Sequence, residues 1–567
     1  MFEYFILAQA GLAPKFQSGP ARIPEQTPVV RPRKATTEEP VLEGENEDKS
    51  GIELEPIEVN SKRLKDYQEQ SLTINNSTIY SDSQLKHSIE TCRLDAEGKD
   101  ALAWAALCLT IKYQKDGYIN TRVYIDREAS MPQVEVVEGK ITELRVSGEN
   151  EKLNRKVEKK LASLKNQILN ANEVQRALKI TQQLPGVQQI RGRLGRIGSD
   201  ARDASLIVSA ISEGSKLQGQ IGYDNYGKIS AGENRSRLII SSNSLLQYDD
   251  TWLFYTDHSF TGSPELGSST YSTSYVTPIG RDTTATLSVG FSKTQPIEFS
   301  GIAKEFRTNQ FQITGLTNTK LIDSYDRSLG VYGQVSYNRS NLYLNGKELP
   351  DIVPEILRKP QNGYIKIGLD ASKINRQSIH SGKIFFTQAL GAFIPEQQQK
   401  SLDLSDIEPD QSKAIGMSLG NYFAFNNGIR GRTTLTAQKA FAPLIGSMRF
   451  QVGADSGLIG LPGSIASGDS GIQLNADGFV PLTQIKGWKF GLKPFAGFAS
   501  LSTETTLGEL SNTVGAAGAM LNITYPARQL SFDIGWAHQY SDRKSVKQSW
   551  ETWSLGHGLL MSFQLSI

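Results

Sequence analysis

The chain has 567 residues, room for three or four domains at about 150 residues each, so boundaries and linkers are to be expected. Its 61 Lys and Arg stand against 59 Asp and Glu, a net charge of +2 with the two signs interspersed, which argues against nucleic acid as the main partner. Hydrophobic content of 38% and a mean hydropathy of −0.35, with no run near the ~20 apolar residues a spanning helix needs, exclude a helical membrane protein but not a barrel, whose strands alternate apolar and polar residues.

The first fifteen residues carry an apolar Phe5–Leu7 patch and an Ala8-Gln9-Ala10 ending like a signal-peptidase site, without a basic region before them. Residues 1–10 are read as the remnant of an export signal, with a disordered start as the alternative. Residues 11–51 hold six prolines, a basic patch at Arg31–Lys34 and an acidic run at Glu43–Asp48, the composition of a disordered linker. So Pro-rich a tail cannot form an uninterrupted helix.

From Ile52 the pattern turns to compact α/β. Residues 52–59 read as a strand, 83–91 and 99–114 as helices, and 119–125 and 133–141 as strands. The order then recurs: a strand at 141–148, one helix marked by Leu153, Val157, Leu161, Leu164 and Ile168, another by Val174, Ala177, Leu178 and Thr181, a turn at Leu184-Pro185-Gly186, and strands at 187–195 and 204–211. Two copies of βααββ make an internal repeat, with boundaries at 52–140 and 141–213. Cys92 and Cys108, the two cysteines, fall on the two helices of the first copy and would staple them; two buried free thiols are the alternative.

Residues 214–567 carry no convincing helix. Leu287, Val289 and Phe291 alternate with Ser288, Gly290 and Ser292; Ile365, Ile367 and Leu369 with Lys366 and Gly368; Phe532, Ile534 and Trp536 with Asp533 and Gly535. The last segment, Leu559, Met561, Phe563, Leu565 and Ile567 against Leu560, Ser562, Gln564 and Ser566, suits the closing seam of a barrel. At about 22 residues per strand with its connection, this region makes about 16 antiparallel transmembrane strands. A large soluble sandwich or propeller is the alternative, disfavoured by the long polar inserts 338–361 and 395–413.

The order of parts, and several short motifs, resemble the TpsB family of two-partner secretion, the haemolysin- and haemagglutinin-secreting transporters, over residues 52–567. Gly117–Val123 (GYINTRV) is similar to the family's GYITTRV strand, Val136–Ile141 to its VVEGxI junction and Leu184–Val187 to its second-module turn. Tyr223-Asp224-Asn225-Tyr226-Gly227 resembles the first barrel strand, Asn243–Asp250 a weakened NPLGxGD hairpin, and Ser447–Gly453 with Gly468-Asp469-Ser470-Gly471 flank what resembles the family's large conformational loop. The resemblance implies two periplasmic POTRA domains followed by an outer-membrane barrel that exports an unfolded β-rich exoprotein without ATP. It also implies contact with outer-membrane lipid and lipopolysaccharide, and the barrel-assembly machinery for the chain's own insertion. A barrel-assembly factor and, less favoured, a passive diffusion porin use similar parts.

In the family the lumenal loop carries an apolar-Arg-Gly-aromatic tetrad. Here Leu458-Ile459-Gly460-Leu461, before Gly468 and Asp469, stands in that place, so Ile459 replaces the arginine. From Leu461 onward about five strands remain, as the family requires, whereas the literal Ile429-Arg430-Gly431-Arg432 would leave about six. The family's acidic wall partner is also absent, with Pro494–Ser500 in its strand, and Asp455-Ser456-Gly457 lies beside the loop motif instead. Loss of this latch implies a larger resting conductance. Candidate client-docking residues by β-augmentation are Ile119, Thr121, Val123 and Ile125 on one strand, Val134 and Val136 on the next, and Leu144 and Val146 in the second module. The five histidines show no metal spacing, and no nucleophile elbow, P-loop or paired carboxylates stand out, so no catalytic residue, metal or cofactor is assigned and an enzyme is not expected.

Overall fold

The structure, a computed structural model, describes residues 42–44 and 72–566 apart from 93–100, 127–132, 197–201, 213–215, 247–249, 262–265, 298–304, 404–406, 506–507, 543–549 and scattered single positions. The expected signal remnant 1–10, most of the linker and the strand expected at 52–59 lie outside these residues. The chain forms two compact units that divide at residue 214.

In the N-terminal unit two α/β modules follow one another. The first has β2 (Thr73–Asn75), α1 (Asp82–Glu90), α2 (Ala101–Lys115), β3 (Arg122–Asp126) and β4 (Gln133–Val137), with sheet order β2-β4-β3. Ser81 starts α1 through a capping box with Gln84. Leu85, Ile89, Trp104, Leu109 and Tyr113 from the helices bury against Ile74, Val134 and Val136 of the sheet. The disulfide between Cys92 and Cys108, Cα atoms 5.9 Å apart, joins the end of α1 to the middle of α2.

The second module has β5 (Lys140–Ser147), α3 (Glu151–Leu161), α4 (Ala171–Thr181), β6 (Val187–Arg196) and β7 (Asp203–Ser212). Asn150 caps α3 by accepting from the Lys152 and Leu153 amides at 3.0 and 3.2 Å, and Asn170 caps α4 through Glu173. The apolar stripes Leu153/Val157/Leu161 and Val174/Ala177/Leu178 are buried, α3 against β5 and β7 and α4 against β6. The sheet runs β1-β6-β7-β5, in which β1 (Leu42–Gly44) comes from the segment expected to be linker. The modules are joined through backbone: Asn170 Nδ2 donates to the Asp116 carbonyl (3.0 Å), and the amides of Ala171 and Leu169 donate to the carbonyls of Gly117 and Gly139, each at 2.8 Å.

The second unit is a closed antiparallel barrel. Its strands are β8 (Lys216–Asp224), β9 (Asn234–Asn243), β10 (Thr251–Phe260), β11 (Leu266–Pro278), β12 (Thr283–Thr294), β13 (Phe306–Asp323) and β14 (Arg327–Leu344), which carries the two-residue β15 (Lys347–Glu348) at its tip. Then follow β16 (Gln361–Ile374), β17 (Ser378–Ala389), β18 (Lys413–Ala424), β19 (Arg430–Ala440), β22 (Ser470–Ile485), β23 (Trp488–Thr505), β24 (Gly508–Tyr525), β25 (Leu530–Ser541) and β26 (Leu559–Ser566). Without the short β15 the count is sixteen. β26 pairs with β8 from Ser562↔Asp224 to Ser566↔Gln220, which closes the seam and leaves no strand edge in hydrocarbon.

Alternation decides which face each strand shows. Leu287, Phe291, Ile367, Leu369, Ile534 and Trp536 are exposed on the outer wall, while their neighbours Ser292, Lys366 and Ala537 are buried on the inner one. Five strands follow the loop motif, as counted from sequence, and Arg430 is a strand residue at the start of β19, its guanidinium 4.3 Å from the centroid of the Phe479 ring.

Candidate functional site

The connection between β19 and β22, residues 441–469, folds back onto the inner wall of the barrel. Its stem is a small hairpin of β20 (Phe450–Val452) and β21 (Ala466–Gly468), paired from Phe450↔Gly468 to Val452↔Ala466. Asp469 closes the base: its buried carboxylate accepts from the Leu444 amide at 3.1 Å and pairs with Arg449 Nε at 3.2 Å. The tip ties itself into a compact turn, with the amides of Ala454 and Asp455 donating to the carbonyls of Pro462 (2.8 Å) and Gly463 (2.9 Å).

Leu458 and Leu461 are fully buried among Phe495, Ala499, Val514, Ala516, Met520, Ala537 and Leu560, and Ile459 packs against the same cluster while partly buried. These wall residues belong to β23–β26. Their sequence neighbours Phe498, Leu521 and Trp536 face outward and are exposed, so the cluster lines the lumen. Gly460, at φ +93°, lets the backbone lie flat on this wall: a Cβ there would sit 2.9 Å from Ala537 Cβ. Buried Gln539 of β25 fixes the same point, donating through Nε2 to the carbonyls of Gly460 and Leu555 at 2.7 Å each and accepting from the Trp550 indole at 2.9 Å.

A charged anchor lies at the other side of the tip. Asp455 pairs with Arg235 of β9, whose guanidinium is nearly inaccessible and also engages Asp224 of β8 in a fork, Nε to Oδ1 at 3.1 Å and Nη2 to Oδ2 at 3.2 Å. Arg237 joins Asp224, Asp257 lies 3.8 Å from both Arg235 and Lys228, and Tyr255 donates to Asp257 at 3.1 Å. Three carboxylates thus face three cations, which is what keeps so buried a set of charges tenable. Next to it, the Gly463 amide donates to the Gly227 carbonyl at 2.8 Å, and Ser456 and Gln473 exchange hydrogen bonds at 2.7 and 2.8 Å.

Three residues of the motif 223–227 are thereby accounted for. Asp224 orients the arginines; Asn225 bonds the Leu559 carbonyl (2.8 Å) and the Met561 amide (2.9 Å) of β26, fastening the seam; and Gly227 must be glycine, because a Cβ would meet the Gly232 carbonyl oxygen at 1.9 Å. Ile459 carries no charge, and Phe495 and Ala499 stand where the family pattern has an acidic wall. A different ion pair, with the acid on the loop and the arginine on the wall, joins Asp455 to Arg235 of β9. The triplet Asp455-Ser456-Gly457 was visible in sequence; Arg235, 220 residues away, had no local signal.

The docking candidates are redistributed as well. β4 is the central strand of its sheet, so Val134 and Val136 are core residues, buried from both sides, and offer no edge. Thr121 is buried, and Val123 and Ile125 pack against the module core; Ile119 and Tyr124 are exposed instead. Leu144 and Val146 sit on an edge strand but are in register with the core residues Leu206 and Val208, on the helix-facing side. What β3 and β5 present is therefore backbone.

A sixteen-stranded closed barrel with an apolar outer wall and a long loop folded inside it is the architecture of an outer-membrane transporter. Residues 203–498 match the family model of haemolysin secretion/activation proteins, ShlB/FhaC/HecB. The chain belongs to this family, the transporters of two-partner secretion, in which a barrel in the outer membrane exports a protein and the α/β modules are periplasmic. It is similar to the outer membrane transporter CdiB of Dickeya dadantii (strain 3937), 20% identical over 457 residues, which cover 76% of this chain and 75% of the relative. Its fold is similar to that of CdiB from Escherichia coli (TM-score 0.56, 15% identity, 92% of each chain) and of CdiB from Acinetobacter baumannii (0.52, 14%, covering 88% of this chain and 89% of the other).

Proposed function

We propose that the chain is the pore through which one unfolded, β-rich exoprotein leaves the cell, taken up at the two N-terminal modules, read as POTRA domains, and passed through the barrel without ATP. The observation that carries this reading is the lumenal loop: it lies on the inner wall at β23–β26, held there by non-covalent contacts alone, the apolar packing of Leu458 and Leu461, an ion pair and a few hydrogen bonds. A plug so fastened can be displaced by a passing chain and can return. The edge strands β3 and β5 suit the docking step, because main-chain hydrogen bonds bind an extended client with little regard to its sequence. Folding of the client beyond the barrel removes it from the exchanging pool and supplies direction. On the outside, the apolar band is the surface for outer-membrane lipid and lipopolysaccharide, and insertion of so large a barrel calls on the cell's barrel-assembly machinery.

The test compares proteins released into the medium and proteins retained in the outer membrane, with and without this gene. Loss of one large released protein is the expected outcome. An unchanged medium with several depleted outer-membrane barrels would overturn the reading in favour of an assembly factor.

A further inference from the structure

The outer wall carries a polar interruption for which the pore has no use. Phe291 and Phe311 are exposed and paired across β12 and β13, with exposed Tyr271 beside Phe291 on β11 and exposed Val335 on β14, so the odd-numbered residues of these strands face outward. The same parity puts Lys293 of β12, Arg307 and Asn309 of β13, and Arg339, Asn341 and Tyr343 of β14 on the outer face. They are neighbours by register. Lys293↔Asn309↔Asn341 form one row, Arg307↔Tyr343 lies beyond it, and Arg339 pairs with Phe311 in the aromatic row before it. With strands about 4.8 Å apart and about 3.4 Å per residue, the backbones of the three cations lie within about 14 Å of one another, a span their long side chains can close.

The set stands at one end of the apolar band. β8 begins just after the last strand of the periplasmic modules, and β12 and β14 run in the same sense as β8. Lys293 and Tyr343, late in their strands, are therefore toward the outer leaflet. In hydrocarbon the set would be untenable. Lys293 and Arg339 are exposed, and none of the three cations has a carboxylate partner among the described residues; Glu305, two residues before Arg307, pairs with none of them. Arg307 Nε, Asn309 Oδ1 and Asn341 Oδ1 make no hydrogen bond within the protein. At headgroup depth the same groups find anions and hydroxyls. Arg307 already lies 4.7 Å from the centroid of the Tyr343 ring, which supports the guanidinium from one side and leaves its donors for an anion.

We propose that this patch is a binding site for the phosphorylated sugar headgroup of lipopolysaccharide. Lys293, Arg307 and Arg339 take the phosphates, Asn309 and Asn341 take sugar hydroxyls or amides, and the acyl chains lie on the Phe291–Phe311 row. This rests on reading the outer wall as a surface for lipopolysaccharide and gives that contact an address. Charge complementarity selects the occupant: three unpaired cations beside two amides match a headgroup with more than one phosphate on a sugar frame, whereas a phospholipid brings a single phosphate. A lipid so held bridges β12, β13 and β14 and stabilises the folded barrel by mass action.

The test is native mass spectrometry of the full-length protein in detergent, titrated with purified lipid A that carries both phosphates. Wild type should retain it with a Kd at least tenfold lower than the triple variant Lys293→Gln, Arg307→Gln, Arg339→Gln. Lipid A stripped of its phosphates, and phosphatidylglycerol, should each bind wild type at least tenfold more weakly than the intact glycolipid. Lys439→Gln, an exposed outward cation paired with Ile415 on the wall at β19, should keep wild-type affinity. The heat-modifiable folded band reports that each variant is intact. Equal retention of lipid A by wild type and triple variant would overturn the site and leave the wall as a general lipid surface. Equal retention of phosphatidylglycerol and lipid A by wild type would overturn the glycolipid assignment, and no retention of lipid A by wild type would remove the lipopolysaccharide surface itself. No readout involves export, so the pore reading stands or falls separately.

Discussion

Arg235 on β9 and Asp455 on the lumenal loop form a buried ion pair, and the same guanidinium forks onto Asp224 beside the barrel seam. One arginine therefore contacts both the lumenal loop and the strand that closes the wall. Its two carboxylates are not equivalent: Asp224 is fully buried, while Asp455 retains some exposure. Asp455→Asn is expected to loosen the loop and leave the barrel intact, giving a larger resting conductance in planar bilayers than wild type. Arg235→Ala leaves Asp224 and Asp257 with less compensation, and should cost about 3–5 kcal/mol and show as a lower temperature for loss of the heat-modifiable folded band. A D455N channel as quiet as wild type would mean that the pair does not hold the gate.

Gln539 is the uncharged counterpart. Its amide is used at both ends, by two carbonyls and one indole, and all three contacts are buried under the loop. Gln539→Leu keeps the volume but strands the Gly460 and Leu555 carbonyls, each a buried group that costs about 1–3 kcal/mol when unpaired. The loop tip should then become accessible to limited proteolysis at 458–463 in intact outer membranes, where wild type resists cleavage.

Gly460→Ala tests the shape of the same contact. Its positive φ and the 2.9 Å approach to Ala537 leave no room for a methyl group, so Leu458 and Leu461 should lift from the wall together. Conductance should rise as in Asp455→Asn, and Ala537→Gly in the same chain should recover part of the closure, since it returns the missing space.

How much of this was legible beforehand follows from the range of each interaction. The outer wall was, because Leu287/Phe291 or Ile534/Trp536 declare their face by a period of two, and the count of strands beyond Leu461 followed from chain length alone. The helices of both modules were, through stripes such as Leu153/Val157/Leu161. β2 was missed because Thr73–Asn75 is too short to show a period, and β1 because nothing in a proline-rich acidic stretch announces pairing with β6. Reading Val134 and Val136 as an edge failed for a related reason: alternation tells which face is apolar, not which strand lies in the middle. The Arg235–Asp455 pair is a purely tertiary fact. The family pattern pointed to an arginine on the loop, whereas here the loop carries the acid and the wall the arginine.

The disulfide of the first module gives a stability prediction. Closing a loop over a separation of 16 residues contributes on the order of 3 kcal/mol in the loop-entropy model, and here the bond joins α1 to the helix that carries Trp104, Leu109 and Tyr113 into the core. Cys92→Ser with Cys108→Ser should lower the protection of α2 amides against hydrogen exchange by an amount near that value and leave α4 unchanged. Equal loss in both helices would show that the modules unfold as one unit through the Asn170 and Ala171 bonds, an informative departure.

Acid should act on the same module through Asp116. The Lys112 ammonium at 2.7 Å, and after it the Tyr80 hydroxyl, hold this carboxyl below the usual aspartate range against the effect of burial. A carboxyl depressed in the folded state stabilises it above the unfolded pKa of about 3.9, and that contribution is lost as pH falls through the lower folded value. Asp116→Asn removes the titration. The variant should be less stable than wild type at neutral pH, and the difference should shrink below about pH 4. Exchange of the α2 amides followed from pH 7 down to pH 3 reads this directly. Because the Asp116 carbonyl also receives Asn170 of the second module, the same series should show α4 protection following α2 if the junction transmits the loss. Parallel curves for wild type and variant over that range would remove Asp116 from the account of acid stability.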